Sequence, residues 1–415
     1  MIQIAVLFSS LEKEADVRHR ITFPLQPDMQ LEYLSTAATA PRPAPAVNGA
    51  CCGRVMVIAS GGTEELIRDI ITHNRQPVLL LANPVRNSLA AAMEAYAVLK
   101  KDHPVKLAYA EHGSAAEQAE IARFAWIART LHHLRHARLG CIGPPSDWLL
   151  TSRGITDFGH LGTELVSIPV EDLLQRMRTE DTPPARELTR EYRHHFSCRD
   201  VEAPAVEQAA RLALALEALV ADHRLDAVTV RCFDLLEHGL TACLGVSRLN
   251  DAGIPTGCEG DLPAALTLMT AERLTAQPAW MANPARLNVA ANTVTLAHCT
   301  VPARMLEERR PMTIRPHMES GQGTALEGNL RKGFVTLLRF SSAADSLLIA
   351  PAELESSGGD DPDICRTRAM IRLEGSVLQW LEHSPGNHQI MIYGHHQDML
   401  MDFCRLGRIR PVLIA

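Results

Sequence analysis

Aromatic residues are scarce. Phe, Trp and Tyr make up 4% of the 415 residues, too few for a surface on which bases stack. Basic charge is not in excess either: 41 Lys and Arg face 48 Asp and Glu, for a net charge of −7. That balance excludes a chain-wide nucleic-acid footprint. No run reaches the ~18 apolar residues of a membrane-spanning helix; even Leu212–Ala221 is broken by Glu217. Met1–Ser9 reads as a short strand with neither a basic region nor a cleavage site, so a cytoplasmic protein is expected. CxxC pairs are missing, and the ten cysteines are scattered, which argues against structural zinc and for free thiols in a reducing compartment. Neither GxGxxG nor GK[ST] occurs, so Gly61-Gly62-Thr63 reads as a tight turn rather than a phosphate loop.

What is present is a regular alternation. Val55–Ala59, Pro77–Ala82, Val105–Ala110 and Leu139–Gly143 are apolar runs of strand length, separated by stretches with helical periodicity. Such alternation predicts a parallel sheet with helices on both faces, and ligands at the C-terminal ends of its strands. A polar stretch, Thr179–Pro204, is expected to cross between domains. A second α/β unit follows, with strands at Asp226–Cys232 and Gly253–Cys258 and helices at Ala205–His223, Leu235–Asn250 and Leu262–Ala276. Beyond Pro284 come short β-type runs at Val294–His298, Met312–Pro316, Gly333–Phe340, Ser346–Ala350, Arg368–Leu373 and Gln389–Tyr393. These predict an antiparallel sheet or barrel. The expected architecture is therefore α/β: two Rossmann-like, parallel-sheet domains, 1–165 and 166–283, followed by a β-rich antiparallel barrel-like domain, 284–415, with a closing helix and strand.

Polar groups concentrate in the second and third sections. Cys258-Glu259-Gly260-Asp261 follows a strand and opens a helix. Asp261 is placed to N-cap that helix, whereas Glu259 has no such structural reason. Downstream lie Trp280-Met281-Ala282-Asn283-Pro284, Leu296-Ala297-His298-Cys299, His317-Met318-Glu319 and Gly386-Asn387-His388-Gln389. Two strand-end histidines and one strand–helix carboxylate can form an open divalent-metal site, although most of the 18 histidines serve as surface or core. Trp148, in Pro144-Pro145-Ser146-Asp147-Trp148, suits either a sugar face or packing between domains.

The run Gly257–Leu266, then Met281-Ala282-Asn283-Pro284, Ala297-His298-Cys299-Thr300-Val301-Pro302 and Pro385-Gly386-Asn387-His388, resembles in order and spacing the metal-site blocks of the L-fucose/L-arabinose isomerase superfamily. The likeness covers the last two sections, and the shorter chain suggests a compact, L-fucose isomerase-like branch. It implies an Mn²⁺-dependent (or other divalent-metal) aldose–ketose isomerase working through an enediol on a neutral, 6-deoxy or anionic sugar. Glu259 then both binds metal and shuttles a proton, with His388 and His298 as further ligands. Asn283 stands where the family has a carboxylate ligand. An amide oxygen can ligate but transfers no proton, so Asp261, Asp234, Glu319 or a water has to replace it. Asp261 is taken as the second catalytic candidate, and Trp148, Asp234, Arg286 and His317 as substrate-binding. Arg286, Arg304, Arg315 and Arg368 lie near the site blocks and suit an anionic substituent. The resemblance also implies a homo-oligomer with active sites at subunit interfaces, where Trp148 is the piece that a neighbour contributes. No nucleic-acid or membrane partner is expected. The alternative is a catalytically altered member, an epimerase, lyase or sugar-binding protein, kept open by Asn283.

Overall fold

The computed structural model describes residues 1–23, 26–36, 51–179, 183–359 and 361–415. They form two compact units, Met1–His133 with Asp398–Arg410, and Leu134–Gln397 with Pro411–Ala415. In the first, five parallel strands are ordered Met29–Ser35, Ile2–Phe8, Gly53–Ile58, Val78–Ala82, Val105–Tyr109. The strands Ile2–Phe8, Gly53–Ile58 and Val78–Ala82 are buried along their whole length, as expected of strands covered on both faces. Ile67, Ile71, Ala91 and Ala95 from the adjoining helices close that core.

The second unit begins with another parallel sheet, ordered Thr256–Cys258, Ala227–Val230, Arg138–Ile142, Glu164–Ile168. The run at Leu139–Gly143, expected to extend the first sheet, belongs here: Leu139 pairs with Ala227 on one side and Leu165 on the other. Its apolar pattern is the same in either sheet, so only the non-local pairing decides. Two further expectations are corrected. The predicted helix Leu235–Asn250 is a 3₁₀ segment, Cys232–His238, and a separate helix, Cys243–Asp251; Gly239, at φ +70°, ends the first in the left-handed conformation that glycine adopts at little cost. The polar stretch after Thr179 carries a helix, Pro183–His195, which buries Ala185, Leu188 and Tyr192; its residues 180–182 lie outside the described residues.

A closed six-stranded antiparallel barrel follows. Its order is Gly333–Phe340, Gln389–Tyr393, Trp280–Asn288, Thr293–His298, Thr367–Leu373, Ser346–Ser357, returning to Gly333–Phe340. Closure removes the free sheet edges. Trp280, Leu296, Leu337, Ala350, Ile371 and Met391 lie in its hydrophobic core. The segment Thr313–Arg315, expected among the barrel strands, pairs with Ala325–Glu327 and Ser197–Cys198 in a small separate sheet. The strand Arg410–Leu413 joins the barrel sheet beside Ser346–Ser357. The ten cysteines are free thiols. Among the described residues no helix is long and apolar enough to cross a membrane.

Candidate metal centre

The C-terminal end of the strand Thr256–Cys258 turns abruptly. Glu259 has φ +64° and Gly260 φ +72°, and a non-glycine residue in this region costs roughly 1–3 kcal/mol. The surroundings impose it. Gly260 N donates to Val230 O (3.1 Å), Asp261 N to Cys258 O (3.1 Å), and Ser146 N to Glu259 O (2.8 Å). A Cβ on Gly260 would lie 2.7 Å from Pro145 Cα, so the paired turns tolerate only glycine there. The outcome is that Glu259 and Asp261, two residues apart, face different surroundings.

Asp261 faces inward and is fully buried. Its side chain accepts from Ala264 N (3.0 Å) as the N-cap of the helix Leu262–Thr275. It also accepts from Ser152 Oγ (3.1 Å) and from both Nη atoms of Arg339 (2.9 and 3.1 Å). Arg339, likewise fully buried, finds room because residue 386 is glycine: a Cβ there would lie 2.7 Å from Arg339 Nη2. The remaining partner is His388, whose Nδ1 stands 2.7 Å from Asp261 Oδ2. Burial works against the Asp261 charge, but Arg339 and His388 hold its carboxyl well below the usual range.

On the far side of the His388 ring, Nε2 lies 3.3 Å from Glu259 Oε1, yet this buried nitrogen makes no hydrogen bond. His298 stands at the end of the strand Thr293–His298, its Nδ1 2.8 Å from Thr300 Oγ1 and its ring 5.9 Å from that of His388. Glu259, His298 and His388 each offer a donor atom, and the three donors lie within 4.8 Å of one another. Burial and the His388 charge pull the His298 pKa down to about 3, so the ring is neutral at pH 7 and one nitrogen lone pair is available. Burial opposes protonation of His388, but Asp261 and Glu259 together raise it to about 9. Burial likewise opposes ionisation of Glu259, and His388 and Trp148 outweigh it, lowering its pKa. Two imidazoles and a carboxylate suit a divalent first-row metal, and a three-ligand set leaves positions open. The unsatisfied Nε2 of His388 fits that assignment.

The other predicted residues fall in three places. Trp148 donates from Nε1 to Glu259 Oε2 at 2.6 Å. It therefore meets Glu259 of its own chain, which corrects its expected role as a neighbour's contribution; being 52% exposed, it keeps a ring face free. Its ring meets Phe233 edge-on (5.0 Å), and Phe233 meets His317 edge-on (5.9 Å), so His317 belongs to the same wall. Burial and Arg366 lower the His317 pKa while Glu259 raises it. Asn283 is opposite Ala297, the residue before His298, and its Oδ1 accepts from Asn387 Nδ2 at 3.1 Å. Asp234 and Arg286 are already ion-paired, Asp234 with Arg231 (2.8 Å) and Arg286 with Asp361 (2.6 Å).

With this geometry in view, the chain is similar to several curated proteins named sulfoquinovose isomerase. It is 26% identical to that of Alkalicoccus urumqiensis over 269 residues, covering 61% of this chain and 59% of the relative. The match to that of Clostridium sp. (strain MSTE9) is 23% over 354 residues, covering 81% and 78%. That of Priestia aryabhattai is 21% identical over 297 residues, covering 68% and 66%. The match to the first of these thus spans less than two thirds of the relative's length. No protein-family profile matches the chain.

Sequence reasoning overlooked Arg339, Phe233 and Arg366. Arg339 did carry a signal: it is the one charged residue in the largely apolar strand GFVTLLRF, and a charge there needs a buried partner. Phe233 and Arg366 carried none, because their place beside His317 comes from which loops meet.

Proposed function

We propose that the chain is a divalent-metal-dependent isomerase that interconverts the aldose and ketose forms of a sulfonated hexose, sulfoquinovose or a close relative, through an enediol. The observation that carries this reading is the convergence of Glu259, His298 and His388 donors within 4.8 Å, at the C-terminal end of a parallel sheet where such folds bind ligands. The names of the relatives supply the substrate class. Glu259, ionised at neutral pH, takes the proton from C2 and returns it to C1. Trp148 Nε1–H fixes its Oε2, leaving Oε1 toward the centre, and the exposed indole face receives the sugar ring. Glu259, His298 and His388 would hold the metal, with the Asn283 amide oxygen as a fourth candidate. Once bound, Mn²⁺ or a similar ion supplies the Lewis acid that stabilises charge developing on O1 and O2.

Asp261 changes role in this scheme. Its oxygens are occupied and shielded from solvent, so it positions His388 and moves no substrate proton. Asp234 is bound to Arg231. Glu319 is the remaining candidate for the proton between O1 and O2: partial burial and the nearby Glu259 charge raise its pKa, favouring exchange nearer neutral pH. A homo-oligomer with interfacial active sites and a cytoplasmic location belong to the same proposal, on the strength of the resemblance. The second reading, a lyase, epimerase or sugar-binding protein, keeps one supporting observation, the amide of Asn283 in place of a carboxylate.

The test is to load the apoprotein with Mn²⁺ and incubate it with sulfoquinovose in D₂O. The expected result is a ketose product with deuterium at C1, and deuterium at C2 of the aldose that re-forms from it. A protein that binds Mn²⁺ at these three residues yet exchanges no C2 proton of any aldose would remove the isomerase reading.

A further inference from the structure

The arginines near the site blocks can be sorted by what already holds them. Arg286 pairs with Asp361 at 2.6 Å and Arg315 with Glu327 at 3.1 Å. Arg304 donates to Asp251 O (3.0 Å), and Arg368 donates to several backbone carbonyls, including Cys365 O (3.0 Å). Two are thus neutralised by carboxylates and two are held at backbone carbonyls. Arg366 differs. Its Nε donates to Pro316 O at 2.9 Å, and among the described residues no carboxylate faces its two Nη groups. It is half-buried rather than enclosed.

The Pro316 bond fixes where that charge lies, because Pro316 immediately precedes His317. His317, Phe233 and Trp148 meet edge to face in two steps of 5.9 and 5.0 Å, and Trp148 ends on Glu259 at 2.6 Å. His317 feels Arg366 and Glu259 together, so both charges border one ring wall. The wall is thus anionic and metal-ligating at one end and cationic at the other. A sulfonated hexose has the same polarity: its reacting C1 and C2 at one end and the sulfonate on C6 at the other.

Resting on the isomerase reading above, we propose that Arg366, held by the Pro316 carbonyl at the end of this wall, receives the sulfonate and selects the sulfonated sugar over the neutral hexose. A guanidinium presents two parallel N–H donors to two sulfonate oxygens, which an ammonium cannot do. One fixed positive charge balances a sulfonate and falls short of a phosphate monoester.

The experiment compares the Mn²⁺-loaded full chain with Arg366→Gln and Arg366→Lys, reading calorimetric binding and steady-state kinetics with sulfoquinovose, glucose and glucose 6-phosphate. Wild type should prefer sulfoquinovose over both others. Arg366→Gln should weaken sulfoquinovose binding by about 10–100-fold, the range for a lost charged hydrogen bond, with KM rising more than kcat falls and glucose binding unchanged. Arg366→Lys should recover part of the loss, and both variants should melt like wild type and bind Mn²⁺ with the same stoichiometry. Sulfoquinovose binding that is equal in wild type and Arg366→Lys, or absent in wild type, overturns the assignment, as does a preference for glucose 6-phosphate. Binding that depends on Arg366 without deuterium uptake at C2 sinks the isomerase reading and leaves the anion site standing. Turnover indifferent to Arg366 does the reverse.

Discussion

The imidazole of His388 separates two unlike regions. On its Nδ1 side lies a closed polar core in which Asp261, Arg339, Ser152 and the start of the helix Leu262–Thr275 satisfy one another. On its Nε2 side, Glu259 and His298 stand close without completing that nitrogen's bonding. Both regions draw a carboxylate from the same three-residue turn. The difference teaches that saturation, rather than residue type, separates a group that shapes a site from one that acts in it. Asp261 has every oxygen occupied and is unreachable; Glu259 is held through one oxygen by Trp148.

The largest way to sharpen that contrast is to neutralise the open side. Glu259→Gln should lower turnover by ~10²–10⁴-fold, the usual cost of a positioned acid–base group, while leaving the melting temperature near wild type. Solvent deuterium exchange at C2 checks it directly, and undiminished exchange would take Glu259 out of the mechanism. The matching change on the closed side is Arg339→Ala, which leaves the Asp261 charge buried without its main partner. A loss of about 3–5 kcal/mol of stability is expected, read from the urea midpoint at constant slope. If Arg339→Ala melted like wild type, the two sides would not differ as described.

Proton linkage probes both regions at once. His388, raised from its ordinary 6.5 to about 9, is protonated at pH 7 in the apoprotein, so a metal must displace that proton. Metal affinity should climb up to ~10-fold per pH unit as pH approaches 9, then level off. Calorimetry at pH 7 in buffers of different ionisation enthalpy should show about one proton released. For folding the sign is opposite. A histidine whose folded pKa is raised adds stability that is fully present below about 6.5 and is lost as pH rises through about 9. Proton-neutral metal binding at pH 7 would contradict the placement of His388 between two carboxylates. The smallest effect is expected from Asn283→Asp, where a new negative charge beside the open side should tighten Mn²⁺ by roughly tenfold, the scale of a charge pair screened almost as in water. An unchanged Mn²⁺ affinity would place Asn283 outside the ligand set.

Much of the centre was legible in the chain because its signals are local. Glu259 stood between apolar elements with no capping duty, and His298 and His388 followed the strand pattern to strand ends. Asp261 as an N-cap was equally readable, since capping depends only on the residues that follow. Trp148 was expected to come from a neighbouring chain, and it meets Glu259 of its own. The strand Arg138–Ile142 was given to the wrong sheet, because identical apolar patterns suit either sheet and only non-local pairing chooses.

By itself, then, the sequence determined the alternation of strands and helices, the barrel-forming runs and the residue types able to bind a metal, all of which follow from periodicity and short-range chemistry. Tertiary structure alone decided that Glu259 opens toward the histidines while Asp261 is enclosed by Arg339, 78 residues away in sequence. It also decided that Arg286 and Arg315 are ion-paired and Arg304 and Arg368 are held by backbone carbonyls, whereas Arg366 is anchored through Nε beside His317. Those outcomes depend on a left-handed turn wedged against Pro144 and Pro145 and on which carbonyls and carboxylates happen to lie opposite. Long-range packing sets both, and no stretch of adjacent residues encodes either.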